Sequence, residues 1–410
     1  MKIVDLFFKK GGNISKIVDI IGQKIYDSRG SETIEVKLVS DSGKSAFASV
    51  PTGAFSGENE AHSVEVYRAL ENISGVIKEN IINISLFDQE RLDQTLIALD
   101  GSKNKSNLGA NSILAVSLAY AKLSADELGL PLYQFLQKIS SNEKTNIPYP
   151  MFNLINGGAH SDNGLTMQEF MAIPVMEGSN FATKMEVGVK IFKTIKSTLK
   201  KINKSTSVGD EGGFAPRLNS NEEAIEILVE AIIESGYKPR EDIMIAVDIA
   251  ANFIPDLSTI SYPKTPLDYY HQLVDEYPIE MLEDPFHDQD LTLWQELMNA
   301  VGSRVAIVGD DLFSTNINLL KNGVENKLAN SISIKPNQIG TLTETIKTIN
   351  FAKTNNISFQ ISHRSGETED TFISDLAIAT GAKYFKAGAP NRGERIAKYN
   401  QILRIEKQLA

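Results

Sequence analysis

Short apolar runs alternate with amphipathic segments in the second half of the chain. From about residue 240 onward the runs are IMIAVDIA, IEMLED, VAIVGDD, SISIKPN, ISFQISHR and YFKAG. Each of them is followed by a segment with the periodicity of a helix. This repeated strand–helix order predicts a parallel sheet, and the number of units favours a closed βα barrel over an open sheet.

The first part of the chain shows a different order, in which strands come before helices. Residues 31–51, SETIEVKLVSDSGKSAFASVP, alternate around a Ser-Gly turn and predict a hairpin. Residues 86–140 then carry helical periodicity. The pattern changes after Pro148 and Pro150, so a domain boundary is predicted there.

Composition narrows the classes of function. With 42% hydrophobic and 23% charged residues the 410-residue chain is typical of globular proteins of two or three domains. Its net charge of -11 disfavours binding to nucleic acid or to anionic membranes. The chain has no Cys, which excludes disulfides, thiolate nucleophiles and Cys-ligated zinc. Because it has no apolar run long enough to span a membrane and its N-terminus is a poor signal peptide, we expect a cytoplasmic protein.

Charged residues stand at or near the carboxyl ends of the predicted barrel strands. These residues are Asp248, Glu283, Asp310, Lys335, His363, Arg364 and Lys386. In a βα barrel such strand ends meet at one mouth, where active sites are built. Any one of them alone would be explained by a strand end that enters solvent, but a shared polar site explains the whole series better.

The carboxylates among them suggest a metal site. Asp248, Glu283 and Asp310 offer hard oxygen ligands from adjacent strands, which suit a divalent cation such as Mg²⁺ completed by water or substrate oxygens. Without a cation, these like charges would raise one another's pKa. Asp284 and Asp311 follow directly, and they either support the ligands or belong to a solvated strand end or a helix cap.

The basic residues suit an anionic substrate. Beside a metal ion, one of Lys335 and Lys386 can act as a base while the other stays protonated and balances developing negative charge. Arg364, followed by Ser365, offers a planar fork for phosphate or carboxylate. The alternative for Arg364 is a structural ion pair with an acidic residue of its own stretch, SHRSGETEDTF.

Two Gly-rich segments add three more candidates. VGDEGGFAP (208–216) carries Glu211, and LINGGAHSDNGLTMQEFM (154–171) carries His160 and Glu169. Taken alone, His160 is more often a loop residue with satisfied hydrogen bonds, and NGG is only a turn. Taken together, the candidates predict proton abstraction next to a carboxylate and then loss of a leaving group, with a metal ion stabilising an enolate-like intermediate.

Long motifs in the chain resemble the enolase family from about residue 14 to the C-terminus. The motifs are DSRG, GANSILAVSLA, LINGGAH, QEFM, GDEGG, EDPF, GDDLF, KPNQIGTL, SHRSGETEDTFI and KAGAPNRGERIAKYNQILRIE. The resemblance implies a small N-terminal α+β domain followed by a modified TIM-type βα barrel whose opening units are irregular. We therefore expect an N-terminal extension over residues 1–13, the small domain over 14–148 and the barrel over 149–410.

The resemblance also implies an activity, the dehydration of 2-phosphoglycerate to phosphoenolpyruvate with Mg²⁺ as the cofactor, in a homodimer or higher homo-oligomer. Lys335 resembles the base that removes the α-proton, and Glu211 resembles the acid, supported by Glu169. The matching ligands of the first Mg²⁺ are Asp248, Glu283 and Asp310. The matching substrate contacts are His160, Glu169, Lys335, His363, Arg364, Ser365 and Lys386.

The serious departures from the family pattern lie in the small domain. In the lid loop PTGAFSGENEA, Phe55 stands where the family has a Ser that binds the second Mg²⁺, and Ser56 comes next. The RDGD and GKGV segments of the family are not recognisable in residues 63–80, and DSRGNP has become DSRGSE. In the barrel, KVNQIG has become KPNQIG, a smaller change beside Lys335.

Three hypotheses follow. The first is a working Mg²⁺-dependent enolase, because every barrel residue with a chemical role is retained. The second is a divergent paralogue whose activity is weak or altered because of Phe55. The third is a non-catalytic binding protein on the enolase scaffold, in which the lysine-rich segment 190–204 contacts an acidic partner; the alternative is that these lysines form a solvated face while Ile191, Ile195 and Leu199 point inward.

Overall fold

The computed structural model describes residues 14–53, 57, 59–142, 144–261 and 264–410. Within them, a small N-terminal α+β domain precedes a closed barrel of eight strands, so the predicted fold class is confirmed. The predicted N-terminal extension and Phe55 with its neighbours in the lid loop lie outside the described residues. No helix in the described part of the chain is both long enough and apolar enough to cross a membrane.

The small domain is built on a three-stranded antiparallel sheet. Strand β1 (Ile17–Tyr26) pairs with β2 (Glu32–Ser40), and β2 pairs with β3 (Ser45–Ser49), which confirms the predicted hairpin. The helical segments of this domain are α1 (Val66–Asn72), a π-helical turn (Ile73–Ile77), α2 (Lys78–Ile81), α3 (Gln89–Asp100), α4 (Ala110–Glu127) and α5 (Leu132–Ile139). The predicted helical region is confirmed, whereas the helices between residues 66 and 81 were not predicted.

Helix α4 is buried on almost every side. All residues from Ala110 to Ala121 are buried, and the helix packs against β2 and β3. Its many Ala and Ser residues allow neighbouring backbone to approach closely, while Ile113, Leu114 and Leu118 supply apolar area to the core. The hydroxyl of Ser117 accepts a hydrogen bond from the backbone N–H of Leu342 in the barrel domain, so this helix also contacts the second domain.

The barrel contains one strand that runs against its neighbours. The strands are β4 (Tyr149–Asn156), β5 (Glu169–Pro174), β6 (Ile243–Asp248), β7 (Ile279–Glu283), β8 (Ala306–Gly309), β9 (Ser331–Ile334), β10 (Ser358–Ser362) and β11 (Tyr384–Lys386). The predicted parallel pairing is correct for β6 through β11, and β11 closes the barrel in parallel onto β4. Strand β5 is antiparallel to both β4 and β6. Because of this reversal, the first residue of β5, Glu169, lies beside Asp248, the last residue of β6.

Helices surround the barrel. They are α6 (Phe181–Lys201), α7 (Asn221–Glu234), α8 (Ser258–Ser261), α9 (Pro266–Glu276), α10 (Leu291–Val301), α11 (Ile317–Glu325), α12 (Pro336–Ile339), α13 (Leu342–Thr354), α14 (Phe372–Thr380) and α15 (Gly393–Leu409). In α6, Ile191, Ile195 and Leu199 are fully buried and the intervening lysines are exposed, as predicted. The lysines of α6 therefore form a solvated face, since the apolar stripe packs inward and the lysines face solvent.

An apolar cluster fills the barrel away from its mouth. Met151, Met171, Met281, Val308 and Tyr384 are buried together inside the strands. A filled interior leaves polar side chains to gather where the parallel strands end, at the mouth.

Candidate active site

The strand-end residues predicted from the sequence come together at the mouth of the barrel. Every predicted site residue except Glu283 lines one cavity there, and Glu283 lies directly behind it through its contact with Lys386. These predicted site residues are buried, with a residue exposure below 9%. The exception is Lys335, which is partly buried and has 12% of its side chain exposed.

Lys386 is the counter-charge for three carboxylates. Its Nζ lies 2.8 Å from Glu283 Oε2, 2.9 Å from Asp248 Oδ2 and 3.2 Å from Glu169 Oε2. Burial would lower the pKa of Lys386, but Asp248, Glu169 and Glu283 together raise it well above its usual range. Lys386 is therefore held as an ammonium, which is the state that can balance negative charge on a substrate.

Lys335 is paired with the remaining predicted metal ligand. It follows β9, and its Nζ is hydrogen-bonded to Asp310 Oδ2. Burial lowers the pKa of Lys335, yet Asp310 outweighs burial and the pKa is raised from its usual value. The second oxygen of Asp310 accepts a hydrogen bond from Gln338 Nε2 at 2.9 Å. If Asp310 bound a cation rather than pairing with Lys335, the Lys335 ammonium would lose its main stabilising contact and its pKa would fall.

Asp284 shapes the turn that presents Asp310. Its two carboxylate oxygens accept hydrogen bonds from the backbone N–H groups of Asp310 and Asp311, each at 2.9 Å. Burial, together with Asp311 and Asp310, raises the pKa of Asp284 well above its usual range. Asp284 is thus buried and supports a predicted ligand, so the alternative of a solvated strand end is wrong for this residue.

The donor set at the mouth fits a hard divalent cation. Asp248, Glu283 and Asp310 provide carboxylate oxygens alone, and Glu283 Oε1 is buried with no hydrogen-bond partner among the described residues. Ligand atoms also approach within 4.8 Å of one another in two groups of described residues, and Asp310 belongs to one of them. These groups are His160 with Glu169 and Glu211, and Asp284 with Asp310 and Asp311.

A carboxyl pair flanked by histidines forms the opposite wall. His160 Nε2 lies 3.6 Å from Glu211 Oε1, and its Nδ1 lies 3.9 Å from Glu169 Oε1. Asn153 Nδ2 donates a hydrogen bond of 3.0 Å to Glu211 Oε2, and His363 Nε2 lies 3.1 Å from the same oxygen. Asn153 was not predicted as a site residue. It is fully buried in the apolar strand β4, where an amide within an apolar run was the feature that could have identified it.

The surroundings separate the pKa values of the two carboxyls. Burial and the nearby Glu211 raise the pKa of Glu169 well above its usual range. Burial acts in the same direction on Glu211, but His363 and His160 outweigh it and lower the pKa of Glu211 well below its usual range. The surroundings therefore favour a proton on Glu169 over a proton on Glu211. Pairs of carboxyls whose pKa values differ in this way commonly divide acid and base roles.

The predicted anion-binding residue is tied to the lid loop. Arg364 Nη1 and Nη2 donate to Glu60 Oε2 and Oε1 at 3.1 and 3.0 Å, and Nη1 also donates to Asn337 Oδ1 at 3.3 Å. The alternative predicted an ion pair with an acidic residue of Arg364's own stretch. The partner is instead Glu60 of the small domain, so this ion pair connects the two domains. Ser365 lies beside Arg364 and lines the same cavity.

Two protein-family models match the chain. One, described as "Enolase, N-terminal domain", matches residues 17–136, and the other, described as "Enolase, C-terminal TIM barrel domain", matches residues 144–410. Together they cover nearly the whole chain and include the described small domain, the barrel and every residue of the candidate site.

Proposed function

The chain belongs to the enolase family, and from this membership and the geometry of its site we propose that it catalyses the Mg²⁺-dependent dehydration of 2-phosphoglycerate to phosphoenolpyruvate. The observation that carries the proposal is that one cavity is lined by two lysines and by Asp248 and Asp310, together with the Glu169–Glu211 pair and its two histidines, while Glu283 lies behind it. These groups would supply a base, a cation site and an acid for a single small substrate. We also propose that it acts in glycolysis and gluconeogenesis as a cytoplasmic homodimer or higher homo-oligomer.

Asp248, Glu283 and Asp310 would hold the cation. When bound, Mg²⁺ stabilises negative charge that develops on the substrate carboxylate. In its absence, Lys386 and Lys335 balance the same carboxylates. Lys386 and Lys335 therefore share their carboxylate partners with the proposed cation site, so the charge state of both lysines depends on what those carboxylates bind.

Lys335 would act as the base and Lys386 as the fixed positive charge. Lys335 Nζ takes the proton from the carbon next to the carboxylate, and the electron pair of that C–H bond moves onto the carboxylate. Lys386 lines the same cavity, and its ammonium would stabilise the resulting charge. In the next step the electron pair returns to form the C=C bond, and the bond from the third carbon to its hydroxyl oxygen breaks.

Glu211 and Glu169 would supply the proton that lets the hydroxyl leave as water. The surroundings of the pair favour the proton on Glu169, and the ring nitrogens of His160 lie 3.6 Å from Glu211 and 3.9 Å from Glu169. Proton delivery to the leaving oxygen is therefore a property of the pair and its histidines rather than of either carboxyl alone. Arg364 and Ser365 would bind the phosphate at the other end of the substrate.

The proposal is tested by a steady-state assay of the purified protein with 2-phosphoglycerate over a range of Mg²⁺ concentrations, following the absorbance of phosphoenolpyruvate. We expect turnover in the wild type and none in Lys335→Ala. Lys321→Ala, which removes an exposed lysine of α11, is the matched control and should retain activity. Activity that survives Lys335→Ala would refute the assigned mechanism, and a wild type without turnover at any Mg²⁺ concentration would refute the function.

The main alternative concerns the lid loop, where Phe55 stands in the place of a metal-binding Ser. A weak second Mg²⁺ site predicts that activity saturates only at high Mg²⁺ concentration. Phe55→Ser should then shift the Mg²⁺ dependence to lower concentration. A wild type that already saturates at low Mg²⁺ concentration, with no shift in Phe55→Ser, would argue against a divergent enzyme.

A further inference from the structure

Arg395 is a fully buried arginine whose position within helix α15 directs it toward the active site. Its residue exposure is 0%, and the buried positions of α15 that follow it are Lys398, Tyr399, Ile402 and Ile405. These positions have the spacing of an inward-facing helical stripe. A guanidinium at such a position is costly unless nearly all of its N–H groups find acceptors.

The guanidinium joins the loop of Glu211 to the loop of His363, Arg364 and Ser365. Nη1 lies 2.6 Å from His363 Nδ1 and donates to the carbonyl of Arg364 at 2.7 Å. Nη2 donates to the carbonyls of Ser365 at 2.6 Å and Asp210 at 3.2 Å. Asp210 directly precedes Glu211, so one side chain of α15 contacts the backbone beside the acid and beside the anion-binding residues.

The contact with His363 fixes which ring nitrogen carries the proton. An arginine guanidinium has only donors and stays charged, so His363 Nδ1 must be the acceptor. In a neutral imidazole the proton then lies on Nε2. That nitrogen lies 3.1 Å from Glu211 Oε2, so the N–H group stands beside the carboxylate, although the two atoms do not meet the geometry of a hydrogen bond among the described residues.

The surrounding charges support a neutral ring. Burial lowers the pKa of His363 to about 3, and the charges on Arg395 and Lys386 act in the same direction, while Glu211 opposes them. A neutral ring has a single proton, so its position decides whether an N–H group or a lone pair stands beside Glu211.

We propose that Arg395 is a positioning residue that holds His363 in its Nε2–H tautomer and thereby directs an N–H group at Glu211. The proposal rests on the proposed function in one respect, namely that Glu211 takes part in the reaction. The contrasting possibility is a purely structural arginine, which would hold the two loops in place without affecting the tautomer of His363.

Nitrogen-15 NMR of histidine-labelled protein distinguishes the two. The chain has five histidines, and a His363→Gln variant assigns the signals of His363 by difference. In the wild type we expect an unprotonated Nδ1 and a protonated Nε2. In Arg395→Met we expect the two tautomers to mix, because the donor to Nδ1 is gone. In Arg395→Lys, where one donor remains, we expect the Nε2–H form to be largely restored.

Arg404→Met is the matched control, since Arg404 is an exposed arginine of the same helix. It should leave both the tautomer and turnover unchanged. If the proposed activity is present, Arg395→Met should lower kcat about 10- to 100-fold, the usual range when a supporting contact to a functional histidine is lost.

An Nδ1–H tautomer in the wild type would overturn the proposal, and so would an unchanged tautomer in a folded Arg395→Met variant. The wild-type spectrum decides the first point even if that variant does not fold. Because the tautomer is read without substrate, a protein with no dehydratase activity would refute the proposed function and leave this inference separately testable.

Discussion

Glu60 and Arg364 form a two-point ion pair between the lid loop and the barrel, with N–O distances of 3.0 and 3.1 Å and side chains that are only 6% and 8% exposed. Each terminal nitrogen of the guanidinium donates to a different oxygen of the same carboxylate, so the pair fixes the plane of the fork. Both residues line the cavity at the mouth of the barrel. We infer that Glu60 orients Arg364 for the phosphate.

Glu60→Gln should weaken binding of the proposed phosphorylated substrate about tenfold, because a bidentate contact between two charged groups becomes a single hydrogen bond from Arg364 to a neutral amide. The measurement is KM for 2-phosphoglycerate, together with the affinity for inorganic phosphate by calorimetry. Glu65→Gln, at a nearby but exposed position, is the control and should change neither value. A lower KM in Glu60→Gln would mean that Glu60 occupies the phosphate position and has to leave it.

Lys386→Met should destabilise the protein strongly when no divalent cation is present. The substitution leaves Asp248 and Glu283 buried without their shared counter-charge and removes the cation next to Glu169. Removing one partner of a buried ion pair typically costs about 3–5 kcal/mol. Added Mg²⁺ should raise the Tm of the variant more than that of the wild type, since the cation then supplies the missing charge.

Lys383→Met is the control for this experiment, because Lys383 lies just before the same strand with a side chain that is 53% exposed. Its Tm should stay within a degree or two of the wild type, as is usual for exposed pairs. Equal Mg²⁺ stabilisation in Lys386→Met and the wild type would show that the cation does not bind these carboxylates.

Much of the barrel site could be predicted because charged residues at the ends of apolar runs are a local pattern. Asp248, Glu283 and Lys386 each close a strand, and the parallel barrel topology brings strand ends together whatever the lengths of the intervening helices. The orientation of β5 could not be predicted this way, because the run EFMAIP has the same hydrophobic pattern in either direction.

Contacts between distant segments account for the other omissions. Glu60 and Arg364 are 304 positions apart in the sequence, and nothing in the lid loop marks one acidic residue as the partner of that arginine. Arg395 lies in a helix rich in charged residues, where an arginine is usually solvated. The feature that could have identified it is its helical spacing with the buried residues Tyr399 and Ile402.

Asp284→Asn should weaken Mg²⁺ binding while leaving the fold intact. The two carboxylate oxygens of Asp284 accept from the backbone N–H groups of Asp310 and Asp311, and an amide can accept only one of these bonds. The turn that presents Asp310 should loosen, and affinity for Mg²⁺ should fall about 10- to 100-fold. The measurement is the Mg²⁺ concentration that gives half-maximal thermal stabilisation.

The matched control for Asp284→Asn is Asp288→Asn, in the same loop but away from the Asp310 turn; it should keep wild-type affinity. A normal Mg²⁺ response in Asp284→Asn would show that the turn holds its shape without this carboxylate.

Asp93 makes the stability of the domain interface depend on pH. It is fully buried in α3, and its Oδ2 accepts a hydrogen bond of 2.8 Å from the backbone N–H of Thr343 in the barrel domain. Burial raises the pKa of Asp93 from 3.8 to about 6. Between these values the folded protein binds more protons than the unfolded chain, so the contribution of Asp93 to stability falls as pH rises from about 4 to about 6.

Asp93→Asn should remove that dependence. A pKa difference of this size corresponds to about 3 kcal/mol, so the variant should gain stability relative to the wild type as pH is raised. The new amide would keep an acceptor for the N–H of Thr343. The buried Oε1 of Gln89, which has no hydrogen-bond partner among the described residues, can turn to accept from the amide N–H. Urea unfolding at about pH 4.5 and about pH 7.5 measures the difference.

The control for Asp93→Asn is Asp126→Asn, at a position whose side chain is 56% exposed. Because this substitution changes an exposed side chain, the stability difference between the variant and the wild type should be the same at both pH values. If the stability difference between Asp93→Asn and the wild type is the same at both pH values, Asp93 titrates alike in the two states and does not link the domain interface to pH.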